Sequence, residues 1–118
     1  MTRRQQRLNV LFREELSELI RSEVRDPRMA GLVSITKVDV SPDLEHATVY
    51  VSILSDDEAR AATMTALKSA APYLRRHLLE RVRIRRIPAL QFVLDHTIED
   101  AARVLELMKR VADEDRTP

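Results

Sequence analysis

Apolar residues recur every three or four positions over the first stretch of the chain. Leu8, Leu11, Phe12, Leu16, Leu19, Ile20 and Val24 make one stripe, with Arg4, Arg7, Glu14, Glu18 and Arg21 on the other side. That period predicts an amphipathic helix over about 5–24. Arg25-Asp26-Pro27-Arg28 ends it, because a proline disfavours helix in the residue before it. Gly31, the chain's one glycine, then opens a turn. The period drops to two over 33–40 and 47–54, which read as strands. In the first, the apolar phase shifts from Val33 and Ile35 to Val38 and Val40, so a bulge or two buried faces is expected. In the second, Ala47, Val49, Val51 and Ile53 face inward. Ser41-Pro42-Asp43 is turn chemistry, and so short a connection favours an antiparallel hairpin.

Ser55, with Glu58 three residues on, reads as a capping box. It opens a helix with Ala59, Ala62, Ala66, Leu67 and Ala70 on one side. Pro72 lies inside the pattern, which resumes through Leu74, Leu78 and Leu79. An internal proline removes a donor and clashes with the preceding turn, so a kink or break is expected at Ala70, Ala71 and Pro72. A third strand follows at 90–94. Thr97 is expected to cap a last helix whose stripe is Ile98, Ala101, Leu105, Met108 and Ala112, with 113–118 as a frayed tail. The order of elements, helix-strand-strand-kinked helix pair-strand-helix, gives an α+β fold. At 118 residues the chain makes one domain over 1–118, ordered over about 3–112.

Charge changes this picture. The formal net charge is only +1, yet residues 61–90 carry seven basic residues against one acid. Six of those are arginines packed into 74–88, at positions 75, 76, 81, 83, 85 and 86, facing Glu80 alone. A nearly neutral protein with one strongly cationic segment carries the electrostatic footprint of a polyphosphate binder. Arginine also suits bidentate phosphate contacts. Arg75, Arg76 and Arg81 belong to the end of the second helix, and Arg83, Arg85 and Arg86 to the loop after it. Alternation across 83–86 keeps all of them from facing one ligand. His77 lies inside the same segment and is a candidate RNA contact. Arg3, Arg4 and Arg7 form a second basic group, either a solubilising helix start or an RNA contact. Lys37 is mid-strand, either simply solvated or a contact on the sheet surface.

Other chemistries find little support. There is no cysteine, which excludes disulfides and thiolate metal sites. His46, His77 and His96 are far apart and lack acids at ligand spacing, so no metal site or cofactor is expected. One glycine cannot build a Gly-rich phosphate loop, and no nucleophile has a base and an orienting acid by motif. Asp26, Arg25 and Arg28 read as turn structure, as does Asp43. The N-terminus lacks the apolar core of a signal peptide, and no stretch reaches the roughly 20 apolar residues of a membrane span. The expectation is a soluble cytoplasmic protein.

Three segments carry a resemblance: EVRDPRMAG at 23–31, SITKVDVSPDLEHATVYVS at 34–52, and LRRHLLERVRIRRIPALQFVLD at 74–95. Over about residues 3–110 the chain resembles the ribosome-binding factor A family. Asp-Pro-Arg after the first helix, together with an arginine run closed by Pro-x-Leu-x-Phe-x-x-Asp, is what makes the match specific. The resemblance implies a KH-like fold of the second type, with helices on one face of a three-stranded sheet. KH domains commonly grip single-stranded RNA with a Gly-x-x-Gly loop, and this family has an Ala-x-Gly helix turn instead. Ala70, Ala71 and Pro72 match that turn, with proline replacing the glycine.

The resemblance further implies a non-enzymatic assembly factor. Such a protein binds 16S rRNA and free 30S subunits, assists late maturation and processing of that RNA, and in some bacteria supports growth in the cold. A monomer is the default. The alternative is a protein-interaction module whose acidic 39–58 or C-terminal helix docks a basic ribosomal protein. A small hydrolase or nuclease is disfavoured for want of clustered acids.

Overall fold

The computed structural model describes residues 1–29 and 32–115, the side chains of 98, 99 and 115 excepted. The turn expected at Gly31, the Ile98 side chain and residues 116–118 of the expected tail lie outside the described residues. The elements in chain order are α1 (Arg3–Ser22), β1 (Leu32–Val40), β2 (His46–Leu54), α2 (Asp57–Arg81), β3 (Ala89–Leu94) and α3 (Thr97–Asp115).

α1 starts earlier than its apolar period suggests because Thr2 and Gln5 form a reciprocal cap. Gln5 N–H donates to Thr2 Oγ1 at 3.1 Å, and Thr2 N–H donates to Gln5 Oε1 at 2.9 Å. The helix also stops earlier, at Ser22, before the proline turn. Within that turn, Asp26 Oδ1 accepts the Arg28 N–H at 2.9 Å, and the carboxylate grips the Arg28 guanidinium at 2.6 Å. Those bonds hold the Asp26 carboxyl at a pKa of about 2.

β1 and β2 pair antiparallel, and β2 and β3 pair parallel, in the order β1-β2-β3. α2 supplies the long crossover that a parallel pair requires. The phase shift read from β1 is a bulge: the register slips between Ile35 and Lys37. Thr36 is the extra residue, which lets Val33, Ile35, Val38 and Val40 all turn toward the helices. Ala47, Val49, Val51 and Ile53 of β2 are buried beneath α1 and α2, alongside Phe92 of β3. Phe12, Leu16 and Leu19 of α1 and Leu67, Leu74 and Leu78 of α2 are fully buried against them. Each such side chain contributes about 1.5–3 kcal/mol of burial.

α2 corrects the sequence reading. It is one helix of 25 residues with Pro72 inside it, not a helix pair. Proline withdraws a hydrogen bond from the Lys68 carbonyl. Both Pro72 and Lys68 are exposed, so water can take that carbonyl. Meanwhile Leu67 before the proline and Leu74 and Leu78 after it are clamped in the core. The N-cap is Asp56 rather than Ser55: Asp56 Oδ1 accepts the Ala59 N–H at 2.7 Å.

α3 also starts differently. Thr97 is its first residue, and Asp95 caps it by accepting the Thr97 N–H at 2.9 Å. Every described side chain from Asp100 to Glu114 is exposed, so the stripe of Ala101, Leu105, Met108 and Ala112 covers no core. Among the described residues, no helix is long and apolar enough to cross a membrane.

Candidate functional site

The arginine segment straddles the end of α2 and the 82–88 loop. The loop is anchored by Val82, Ile87 and Pro88, all buried, with Ile84 half-buried. These pins leave Arg83, Arg85 and Arg86 exposed between them. Arg85 and Arg86 sit on a ridge between two grooves. One groove is lined by Arg4, Leu8, Asp43, Leu44, Glu45, Ile84 and Pro88. The other is lined by Pro72, Arg75, Arg76, Leu79 and Ile87. The fold therefore gathers Arg4, Arg75, Arg76, Arg85 and Arg86 around two adjoining grooves with mixed apolar and charged walls.

Within that group the arginines differ. Arg75 is committed to structure: its Nε and Nη2 donate to the Ile87 carbonyl at 3.0 and 2.8 Å, tying α2 to the loop. Arg4, Arg76, Arg85 and Arg86 make no hydrogen bond or ion pair among the described residues. Of the two acids lining the first groove, Asp43 is occupied locally. It accepts from Ser41 Oγ at 2.6 Å and from the Glu45 N–H at 3.0 Å, which lowers its pKa. Leu44 has φ 62, a left-handed conformation costly for a branched residue, and its half-buried side chain walls the groove.

The remaining candidates lie elsewhere. Arg81 Nη1 pairs with Glu15 Oε2 of α1 at 3.3 Å, away from the ridge. Arg83 is exposed and lines neither groove. His77 is half-buried, its ring 4.2 Å from that of Tyr73 and its Nδ1 3.8 Å from Glu80 Oε2. Arg3 and Arg7 line a shallow surface on the outer side of α1 with Val10, Leu11 and Glu14. Lys37 is on the helix-free face of the sheet, its Nζ 5.6 Å from the Tyr50 ring centroid. Among the described residues, no three His, Cys, Asp or Glu side chains are grouped to hold a metal.

Comparison with known proteins bears on this geometry. The model of the family described as ribosome-binding factor A matches residues 4–108. The chain belongs to the ribosome-binding factor A family. A member from Dehalococcoides mccartyi is 45% identical over 111 residues, 94% of each chain. One from Thermosynechococcus vestitus is 43% identical over 116 residues, 98% of this chain and 92% of its own. The crystal structure of ribosome-binding factor A from Thermus thermophilus superposes with a TM-score of 0.68 at 31% identity, covering 76% of this chain and 93% of that one. A homology model of the Thermus thermophilus ribosome-binding factor A, fitted into the cryo-EM map of a complex with the 30S subunit, gives a TM-score of 0.62 at 31% identity, over 75% of this chain and 91% of that one. Sequence reasoning found the arginine run but not its partnership with Arg4 or Leu44, since Arg85 lies 81 positions after Arg4 and no local pattern joins them.

Proposed function

We propose that this chain is a small-subunit assembly factor. It binds free 30S subunits through 16S rRNA and assists late maturation and processing of that RNA. It acts in the cytoplasm as a single monomeric KH-like unit over 1–118, without catalysis and without a cofactor. The observation that carries this reading is the ridge of Arg85 and Arg86 flanked by Arg4 and Arg76, four guanidinium groups with no protein partner among the described residues. The 30S complex of the Thermus thermophilus relative supports the choice of partner.

Phosphate neutralisation supplies the affinity: each arginine that meets a phosphate releases counterions and adds about one unit of salt slope. Phe12 and Phe92 are buried, and Tyr50 and Tyr73 lie off the ridge. The ridge thus offers no stacking platform, and it reads the shape of RNA rather than its bases. Filter binding to 16S rRNA over a range of salt tests this. The triple variant R76E/R85E/R86E should lose binding and flatten the salt dependence while keeping its far-UV circular dichroism. Undiminished binding by that variant would overturn the proposal. Sedimentation of the tagged protein with free 30S subunits rather than with whole ribosomes is expected alongside.

A further inference from the structure

α3 presents an apolar side with nothing on it. Ala101, Val104, Leu105, Met108, Val111 and Ala112 fall at three- and four-residue spacing, one continuous stripe. Val104, Leu105, Met108 and Val111 are 54%, 64%, 63% and 57% exposed. The first residue of the helix is nevertheless tied to the sheet. Asp95 closes β3, accepts both the N–H and the hydroxyl of Thr97, and is itself gripped by Thr36 of β1. Only His96 separates this knot from the helix, so the helix starts directly from the sheet with no long linker.

Charge selects what covers it. The segment 97–115 has six acids (99, 100, 106, 113, 114, 115) and three bases (103, 109, 110), a formal charge of −3. An RNA backbone is repelled by such a helix. A second copy fits poorly as well. Asp100, Leu107 and Glu114, seven residues apart, share one flank of the stripe, so an antiparallel pair sets Asp100 of one helix against Glu114 of the other. A groove with an apolar floor and a basic rim satisfies both features.

We propose that α3 docks through this stripe into an apolar groove on a basic protein of the small ribosomal subunit, in the helix-in-groove mode. The inference rests on the small-subunit reading above for the place where such a protein is met. The ridge of arginines then holds RNA while α3 holds protein, two contacts made by opposite charge on one chain.

The full-length L105E/M108E variant tests it, compared with R85E/R86E, by measuring Kd for purified 30S subunits and for protein-free 16S rRNA. The α3 variant should bind 30S subunits about tenfold more weakly and bind naked RNA unchanged. R85E/R86E should weaken on both. A photo-crosslinking side chain placed at Met108 should give an adduct with a ribosomal protein on purified 30S subunits. Four results overturn the proposal: undiminished 30S binding by L105E/M108E, equal loss on naked RNA, a fall in wild-type sedimentation mass on making the change, or a lowered thermal midpoint. The last three would assign the stripe to RNA, to a second copy and to the chain's own body respectively. Failure of the arginine reading shows separately, as R85E/R86E binding like the wild type.

Discussion

Thr36 Oγ1 donates a 2.5 Å hydrogen bond to Asp95 Oδ2, reaching across β2 from the bulge of one edge strand to the end of the other. Asp95 Oδ1 meanwhile accepts the hydroxyl of Thr97. Together with the Thr97 N–H, these donors favour the carboxylate and hold the Asp95 pKa at about 2, below its ordinary 3.8. A carboxyl with a depressed folded pKa stabilises the fold above about pH 4, and that contribution is lost as pH falls through about 2. Thr36→Val removes the largest of these effects. The variant should therefore have a lower urea midpoint than the wild type at pH 7, and the gap should narrow steadily between about pH 4 and pH 2. Asp26, also held near 2, titrates alike in both proteins and leaves the difference untouched. A gap independent of pH would show that Thr36 acts through packing alone.

Gln5 does two things from one buried side chain. It completes the cap with Thr2, and its Nε2 donates to the Val40 carbonyl at 3.1 Å. Asn9, one turn on, accepts the Val40 N–H at 2.8 Å. α1 thus covers the outer edge of β1 at its end, where unpaired backbone groups would otherwise invite another strand. Gln5→Ala should cost about 1–3 kcal/mol in chemical denaturation, the usual penalty for stranding buried polar groups. Asn9→Ala should cost less, because Asn9 is only half-buried.

The bulge in β1, the alternation of β2 and the apolar stripe of α1 were legible because each is written in local period. Val38 and Val40 can face the same way as Val33 and Ile35 only if one residue is added between them, and Thr36 is that residue. Caps were legible only by type. Two acceptors stand side by side at Ser55 and Asp56, and local pattern does not say which one turns toward the helix. What could not be read is long-range. Arg81 looks like any other member of the run until Glu15 of α1 is found beside it, and Arg75 until the Ile87 carbonyl folds back onto it. The unpacked state of α3 was equally hidden, since its period is that of a core helix.

The helix runs through Pro72 without a break, for a physical reason with a measurable consequence. Propensity alone sets proline about 3 kcal/mol below alanine inside a helix. Leu67, Leu74 and Leu78 outweigh it by holding both arms against the sheet. With one continuous helix, Pro72→Ala restores a backbone donor at an exposed position and should raise the thermal midpoint, by an amount corresponding to about 1–3 kcal/mol. If the fold instead required a break there, the change would be neutral or harmful.

The arginines of the run should separate into two groups under single substitution. Arg81 and Glu15 are each about one-third exposed, at 35% and 30% of their side-chain surface. Such a pair is worth within about 1 kcal/mol. Arg81→Ala should therefore shift stability slightly and leave the salt slope of RNA binding close to that of the wild type. Arg85 and Arg86 have no intramolecular partner among the described residues, so removing either changes nothing in the fold. Arg85→Ala and Arg86→Ala should each reduce the slope of log Kd against log salt by about one, with an unaltered thermal midpoint. Arg75→Ala should behave in the opposite sense. It releases the Ile87 carbonyl and the loop that carries the ridge, so stability and RNA affinity should fall together. Filter-binding slopes set against calorimetric midpoints for the four variants would resolve the pattern, and a slope that dropped as much for Arg81 as for Arg85 would move the RNA contact off the ridge and onto the α1–α2 side of the molecule.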